Sequence, residues 1–538
     1  MKKNNKRRIA SLLAGGMLMT TLVSAQAAFA QENESADTGV TEITYPLSEE
    51  TITLEFYSCT NESVTIPFAE NKLFTDYEKL TNIHIDFTEI PFASWYEQIQ
   101  LSMASGDYPD VYAGGMGPID TNLLQEYAEQ GVIIPLNDLI ENYTVNIKKY
   151  LAENDELRKM CTMADGNIYS IPTIHQNFNR AFWQLSINKT WLDQLGMDYP
   201  ETMDEFRDYL RAVTTTDMDG NGELDEIGFS VPGASYLNYL MGCFGTLDTG
   251  NHLYINDEDE VSFSATSDEY RAFLEYMHDM YAEGLIDPES FTQDSTRLNA
   301  KAASSSAIGA SIQFLSNSYG ETVCEYKIAP VLTNNEGVGE WPRNGRINDV
   351  YLNGFSITCA NENPIETIQW LDYWMDNGEH ALTMRYGTRG EYWDYTGEEG
   401  GEWEVFDVNP VTGETIDAFV RGKVCTQALV IPLWMFSDTN DKLVVTNEYS
   451  IEKRDSQEWY DPYLSNPYPT VYMTSEDSTE ISGLAMELNN YIGSQEALFI
   501  MEGVTDEAWE DYVERCEKLG SERYLEIYTK YYEDYLTK

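Results

Sequence analysis

Thr51-Ile-Thr-Leu-Glu-Phe56, a helix-patterned segment from Asn71 to Leu80, and His84-Ile-Asp-Phe-Thr-Glu-Ile90 decide the class of this chain. In the two outer pieces apolar and polar residues alternate, as in a strand with one face buried; the middle piece repeats at helical spacing. The unit therefore reads strand, helix, strand. A helix from Trp95 to Ala104, the turn Gly106-Asp-Tyr-Pro-Asp110, the short strand Val111-Tyr-Ala113 and the pair Gly114-Gly115 continue the rhythm. Strands alternating with helices imply an α/β sheet, whose ligands lie where strands end in loops.

Further strands are expected at 132–136, 167–172, 182–187, 227–230, 306–310 and 326–330, and helices at 191–195, 202–212, 267–283 and 364–375. Thr202 and Glu205 are spaced as a capping box. The tail from Glu476 to Lys538 reads as all helix. A chain of 538 residues exceeds one core and calls for two large lobes or more.

The start of the chain has the pattern of an export signal. MKKNNKRR is basic, Ile9 to Ala25 is apolar, and Ala28-Phe-Ala30 offers small residues for cleavage before Gln31. Residues 1–30 are thus expected to be a signal peptide and 31–45 a flexible acidic leader, giving an exported, extracellular protein. No cysteine lies near the end of the apolar run, the first being Cys59, so no lipid tether is expected, and no later stretch suits a membrane span.

The formal charge is −58, and removing residues 1–30 with their five basic residues takes it to −63. That balance argues against nucleic acid and anionic membrane surfaces, which are bound by clustered Lys and Arg. Disorder is not implied, since 42% of the residues are hydrophobic. The seven cysteines are widely spread and include no C-x-x-C pair; most are read as small buried apolar residues.

Asp217-Met-Asp-Gly-Asn-Gly-Glu-Leu-Asp-Glu226 carries oxygen-bearing side chains at alternate positions around two glycines. A hard cation needs six to eight oxygens, and such a loop can supply them. Asp217, Asp219, Asn221, the Glu223 carbonyl, Asp225 and Glu226 are the candidate Ca2+ ligands. The bidentate acid of an EF-hand is missing, because position 12 is Gly228. The loop would staple a helix end to a strand, not perform catalysis.

Several stretches, in order, resemble the bacterial extracellular solute-binding proteins of ABC importers, family 1, especially their large oligosaccharide-binding branch. They are Trp95-Tyr-Glu-Gln98 with Ala104-Ser-Gly-Asp-Tyr-Pro-Asp110, Trp191-Leu-Asp-Gln-Leu-Gly196, the 217–226 loop, Tyr281 to Pro288, Tyr386 to Trp393, and Phe499 to Gly503 with Trp509 and Tyr528. The resemblance spans roughly 50–535. Arg389 departs from it, standing where an acid is usual. The resemblance implies a type 2 periplasmic-binding-protein fold of two α/β lobes, with a helical C-terminal extension and a ligand cleft at a hinge crossed three times. By analogy the crossings are expected near residues 175, 307 and 357. Lobe one would be 46–175 with 308–357, and lobe two 176–307 with 358–538. A monomer that hands its ligand to an ABC permease is the implied mode of action.

Sugar binding asks for flat aromatic faces and for polar side chains that match hydroxyls. Trp393 and Trp434 rank first among the candidates because their sequence neighbours are polar or glycine-rich; Trp95, Trp183, Trp341 and Tyr112 follow. Gly114 and Gly115 would let a ligand approach the backbone, while His175, Asn177 and Asn179 would bond hydroxyls. Trp370 and Trp374, at i and i+4, read as a buried helix face. A secreted glycoside hydrolase would need two paired carboxyls. The 91 acids leave room for them, and no catalytic motif supports the idea. Ser186-Ile-Asn-Lys189 matches S-x-x-K without its companion motifs. A carbohydrate sensor or adhesin is the third reading.

Overall fold

The computed structural model describes residues 40–537, apart from 61–63, 65, 115–118, 177–179, 182, 249–250, 257, 304–307, 314–324, 345–349, 427–430 and 447. The expected signal peptide and most of the leader lie outside the described residues.

Two sheets organise the chain. The first takes β1 (Ile52–Thr60), β2 (Ile83–Pro91), β3 (Val111–Ala113) and β4 (Ile171–His175). The second takes β5 (Gln184–Asn188), β6 (Ile227–Phe229), β7 (Ile308–Gln313) and β8 (Tyr326–Ile328). The chain then returns to the first with β9 (Val350–Ile357) and β10 (Trp434–Met435). The spatial orders are β10-β4-β9-β3-β1-β2 and β8-β5-β7-β6.

The opening unit forms as its pattern dictates. β1 and β2 pair in parallel, Phe56 opposite Phe87. Between them runs the helix Lys72–Thr81. Its first turn is capped by the Asn71 side chain, which accepts from the Leu73 N–H at 3.0 Å, and its end is turned by Asn82 at φ 58°. Because side chains alternate along a strand, Leu54 and Phe56 enter one core, with Ile85, Ile174, Phe355 and Trp370. Cys59 enters a second core on the opposite face, with Trp95, Ile99 and Ile133. The other sheet has its own core, in which Phe206, Phe229, Leu274 and Ile312 meet Ile492, Tyr512 and Ile527 of the tail. Trp370 and Trp374 are buried on the first core, as their spacing predicts.

The tail is helical, as expected, in three pieces: Ser475–Glu502, Asp506–Lys518 and Ser521–Thr537. The breaks come at Gly503 and Gly520, whose φ values of 94° and 96° favour glycine. Thr202 and Glu205 form the capping box on Met203–Thr214.

The lobe boundaries differ from the expectation. Ile308–Gln313 pairs with β5 and β6, and Tyr326–Ile328 with β5, so both strands belong to the second sheet, not to lobe one. Residues 355–436 pack largely on the first core, not in lobe two. The chain therefore passes between sheets at 176–183, at 329–349 and after Met435, where 307 and 357 were expected for the later crossings. Tyr472 adds a further link: it lies in the first sheet's second core and donates to Asn353 Oδ1 at 2.7 Å, while Met473 joins the second sheet's core. The strand expected at 132–136 shrinks to one bridge, Ile133 to Thr358.

Among the described cysteines, Cys59, Cys161, Cys243, Cys425 and Cys516 are buried and Cys359 is exposed, and no disulfide joins any two of them. No helix among the described residues is long and apolar enough to cross a membrane.

Candidate functional site

Strand direction locates the site. β3 and β4 both run antiparallel to β9 between them, so they run parallel to each other and to β1 and β2. His175 therefore ends β4 at the same sheet edge as Thr60, Pro91 and Ala113. Met435 ends β10 there, and Val350 starts β9 there. Every connection to the second sheet uses that edge. On the other side Gln184 starts β5 opposite Gln313, the last residue of β7, and Phe229 and Ile328 end their strands at the same edge. The two sheets present their strand ends to each other, the arrangement in which α/β proteins hold ligands.

On the second-sheet side stands an aromatic group. Trp183, half-buried, precedes β5 and meets the half-buried Tyr236 edge to face at 5.3 Å. Tyr239 leans on Trp341 at 5.6 Å, and the Trp341 indole N–H donates to the Trp183 carbonyl at 2.9 Å, fixing the backbone that carries Trp183. Tyr236 and Tyr239 were not among the residues chosen from sequence. Their signal is positional: they lie on the helix Ala234–Phe244, which follows the end of β6 at Phe229 after a short loop. On the first-sheet side His175 is half-buried, and its Nε2 is buried without a hydrogen-bond partner. Burial, helped by the Arg385 charge, pushes the imidazole down to about 3, so the ring is neutral.

Five ring candidates belong to the interior instead. Trp393 is wholly buried and donates to the Gly387 carbonyl at 2.9 Å; Trp434 does the same to Pro172 at 2.9 Å. Trp95 is buried under the first sheet, and Trp341 is the support just described. Tyr112 is buried with its hydroxyl on Ser102 Oγ at 2.8 Å. None presents a face to a ligand, because all five are buried. Gly114 is also excluded as an open backbone position, since its N–H donates to the Gly354 carbonyl at 2.8 Å and extends the sheet. Gly115, Asn177 and Asn179 lie outside the described residues. Ser186 of the S-x-x-K match is buried in the middle of β5. Arg389, the residue at odds with the family pattern, is held by Glu379 and Asp394, each at 2.8 Å.

The acidic loop lies between the helix Met203–Thr214 and β6, away from the strand-end gap. Gly220 and Gly222, at φ 75° and 90°, let it curl. Carboxylate oxygens of Asp217, Asp219 and Glu226 lie within 4.8 Å of one another. The Asn221 amide N–H groups reach Asp219 Oδ2 and Asp225 Oδ1, each at 3.1 Å, and the Glu223 N–H donates to Asn221 Oδ1 at 2.7 Å. Glu226 is buried: its Oε1 accepts from the Met218 N–H at 2.5 Å, while Oε2 is left without a partner. No Lys or Arg occurs between Arg211 and Arg271 to neutralise these acids. An orphaned buried carboxylate oxygen within an all-oxygen donor set suits a hard divalent cation. The missing acid at position 12 also has a cause: a Cβ on Gly228 would lie 2.6 Å from the Leu285 carbonyl oxygen. Glu226, two residues earlier, is the acid that remains.

The model of the bacterial extracellular solute-binding protein family matches residues 65–381. The fructooligosaccharide ABC transporter substrate-binding protein FusA of Streptococcus pneumoniae serotype 4 is 30% identical over 555 residues, covering 96% of this chain and 97% of that one. The solved structure of S. pneumoniae FusA in complex with kestose is 29% identical with a TM-score of 0.72, covering 90% of this chain and 99% of that one. A FusA EF-hand mutant in complex with fructo-nystose is 28% identical with a TM-score of 0.71 and the same coverage. An alignment of nearly full length at that identity, on two sheets that face each other at their strand ends, places this chain in the family of bacterial extracellular solute-binding proteins.

Proposed function

We propose that this chain is the extracellular substrate-binding component of an ABC importer, which captures an oligosaccharide between its two lobes and delivers it to the membrane permease. The likeness to FusA over nearly the whole chain carries this reading. Trp183 and Tyr236 offer the faces on which a sugar ring stacks. Lobe one is then about 46–175 with 350–436, and lobe two about 184–342 with 457–537. Rotation between them signals occupancy to the permease. The protein acts as a monomer, exported by residues 1–30, and does not cleave its ligand. Asp217, Asp219, Asn221, Asp225, Glu226 and the Glu223 carbonyl hold Ca2+, which braces lobe two without touching the ligand.

The test is incubation of the purified protein with a glycan panel that includes kestose and nystose, following tryptophan fluorescence and the recovered sugars. A saturable fluorescence change with all sugar recovered intact is expected. Accumulating shorter products would favour the glycoside hydrolase, and binding without uptake by cells carrying the permease would favour a sensor or adhesin.

A further inference from the structure

A cavity of about 470 Å³ lies along the outer side of β8, the edge strand of the second sheet. Glu325 precedes that strand at the edge remote from the gap, because Tyr326 stands opposite Asn188, the last residue of β5. Tyr199 follows the helix Lys189–Leu195, which leaves β5 at the same remote edge. The opposite wall is the segment 451–459, which covers the unpaired side of the strand. There Glu452 Oε1 accepts the Ile328 N–H at 2.7 Å, and next to it the Tyr460 hydroxyl donates to the Ala329 carbonyl at 3.0 Å. The cavity is thus separate from the gap between the sheets, and it has the size of a small-molecule pocket.

Its lining combines aromatic faces with negative charge. Trp459 is 37% exposed, and the half-buried Tyr199 stands 6.1 Å from it, centroid to centroid, at 54°, so the two rings form a corner and not a closed stack. Four carboxylates, those of Glu325, Glu452, Asp455 and Glu458, line the cavity against one base, Lys327. That base is already held between Glu325 at 2.9 Å and Glu452 at 3.3 Å. Glu458, beside Trp459, is exposed and paired with no base among the described residues.

A ring face attracts a cation through its quadrupole, tryptophan most strongly, and a corner of two rings suits an ammonium clothed in methyl groups better than a bare, strongly hydrated ion. The surplus of carboxylates repels a phosphate or carboxylate ligand. The fold itself shows the attraction: Lys189 Nζ lies 5.9 Å from the Tyr199 ring centroid, although Lys189 does not line the cavity. We infer that the cavity at the outer edge of β8 is a second binding site, which holds an alkylated ammonium group between Trp459 and Tyr199 with Glu458 as its counter-charge. The site is independent of the reading of the gap as a carbohydrate site. It gives lobe two a ligand of a different chemical class.

The test is calorimetry of the purified protein with choline chloride, and with dimethylbutanol, in which carbon replaces the charged nitrogen, as the uncharged control of the same shape. Choline should bind in a single saturable step, and dimethylbutanol about tenfold more weakly or less. Trp459→Ala should weaken choline about tenfold, and Glu458→Gln, which keeps the shape and removes the charge, about threefold. Both side chains are exposed, so the melting temperature of each variant without choline should match that of the unchanged chain. Affinity for whichever glycan the panel selects should be the same in all three proteins. Absence of choline binding, equal binding of the two probes, or unchanged choline affinity in both variants overturns the site while leaving the proposed function standing. Loss of glycan affinity in Trp459→Ala also overturns it, since the corner would then belong to the carbohydrate.

Discussion

Glu496→Gln should flatten the pH dependence of stability in this protein. Glu496 lies on the helix Ser475–Glu502 and is 4% exposed. Its Oε2 accepts the Tyr270 hydroxyl at 2.7 Å and the Asn238 amide at 3.2 Å. Burial outweighs those bonds and, with the Asp248 charge, pushes the carboxyl from 4.5 to about 7. The folded protein thus holds a proton that the unfolded chain gives up. Stability from this group is complete below pH 4.5 and is lost as pH rises through about 7. A rise from 4.5 to about 7, at about 1.4 kcal/mol per tenfold change, corresponds to about 3 kcal/mol. Glutamine keeps an acceptor for Tyr270 and brings an N–H for Asn238 Oδ1, which is buried without a partner. The variant should match the natural protein near pH 4 and exceed it by about 3 kcal/mol near pH 9.

A residual decline should remain in both proteins. Burial lowers the nearby His252, but Asp248, 2.5 Å from its Nδ1, overcomes this and holds the ring protonated above its ordinary range. Urea unfolding followed by tryptophan fluorescence across that pH range is the assay. Stability curves that stay parallel for the two proteins would refute the assignment of the proton to Glu496.

Three further outcomes follow from named contacts. Chelation should lower the melting temperature and Ca2+ should restore it, with Asp217→Ala abolishing both effects; at a hundredfold excess over Kd the ion contributes about 2.7 kcal/mol. An unchanged melting curve on chelation would retire the loop as a metal site. Trp393→Ala, which empties a wholly buried site, should cost about 3–5 kcal/mol in denaturant unfolding while leaving ligand affinity in the folded protein intact. A selective loss of affinity would return Trp393 to the binding surface. Gly228→Ala forces a Cβ against the Leu285 carbonyl and should destabilise the protein by about 1–3 kcal/mol, measured by thermal unfolding with and without Ca2+. A neutral substitution would mean that β6 shifts freely.

Local chemistry in the sequence determined much of this protein. The alternation at 51–56 and 84–90, the helix between them, the capping box at Thr202 and Glu205, and the oxygen-rich loop around Gly220 and Gly222 all depend on neighbours within a few residues, and each appears where its pattern predicts. The helical tail was legible for the same reason.

Only the tertiary structure decided which sheet a strand joins and which ring faces the gap. Ile308–Gln313 is buried along its whole length, and such a run carries no face pattern that names a partner; pairing with β5 and β6 placed it in the second sheet. Trp393 and Trp434 rank first among the rings by sequence, yet their indole N–H groups find carbonyls inside the fold. Phe92 and Tyr96 flank Trp95 in sequence, and it is the packing of Trp95 against the sheet that leaves them in the open. Exposure of a side chain depends on what distant segments cover it, and that is settled when the two cores close.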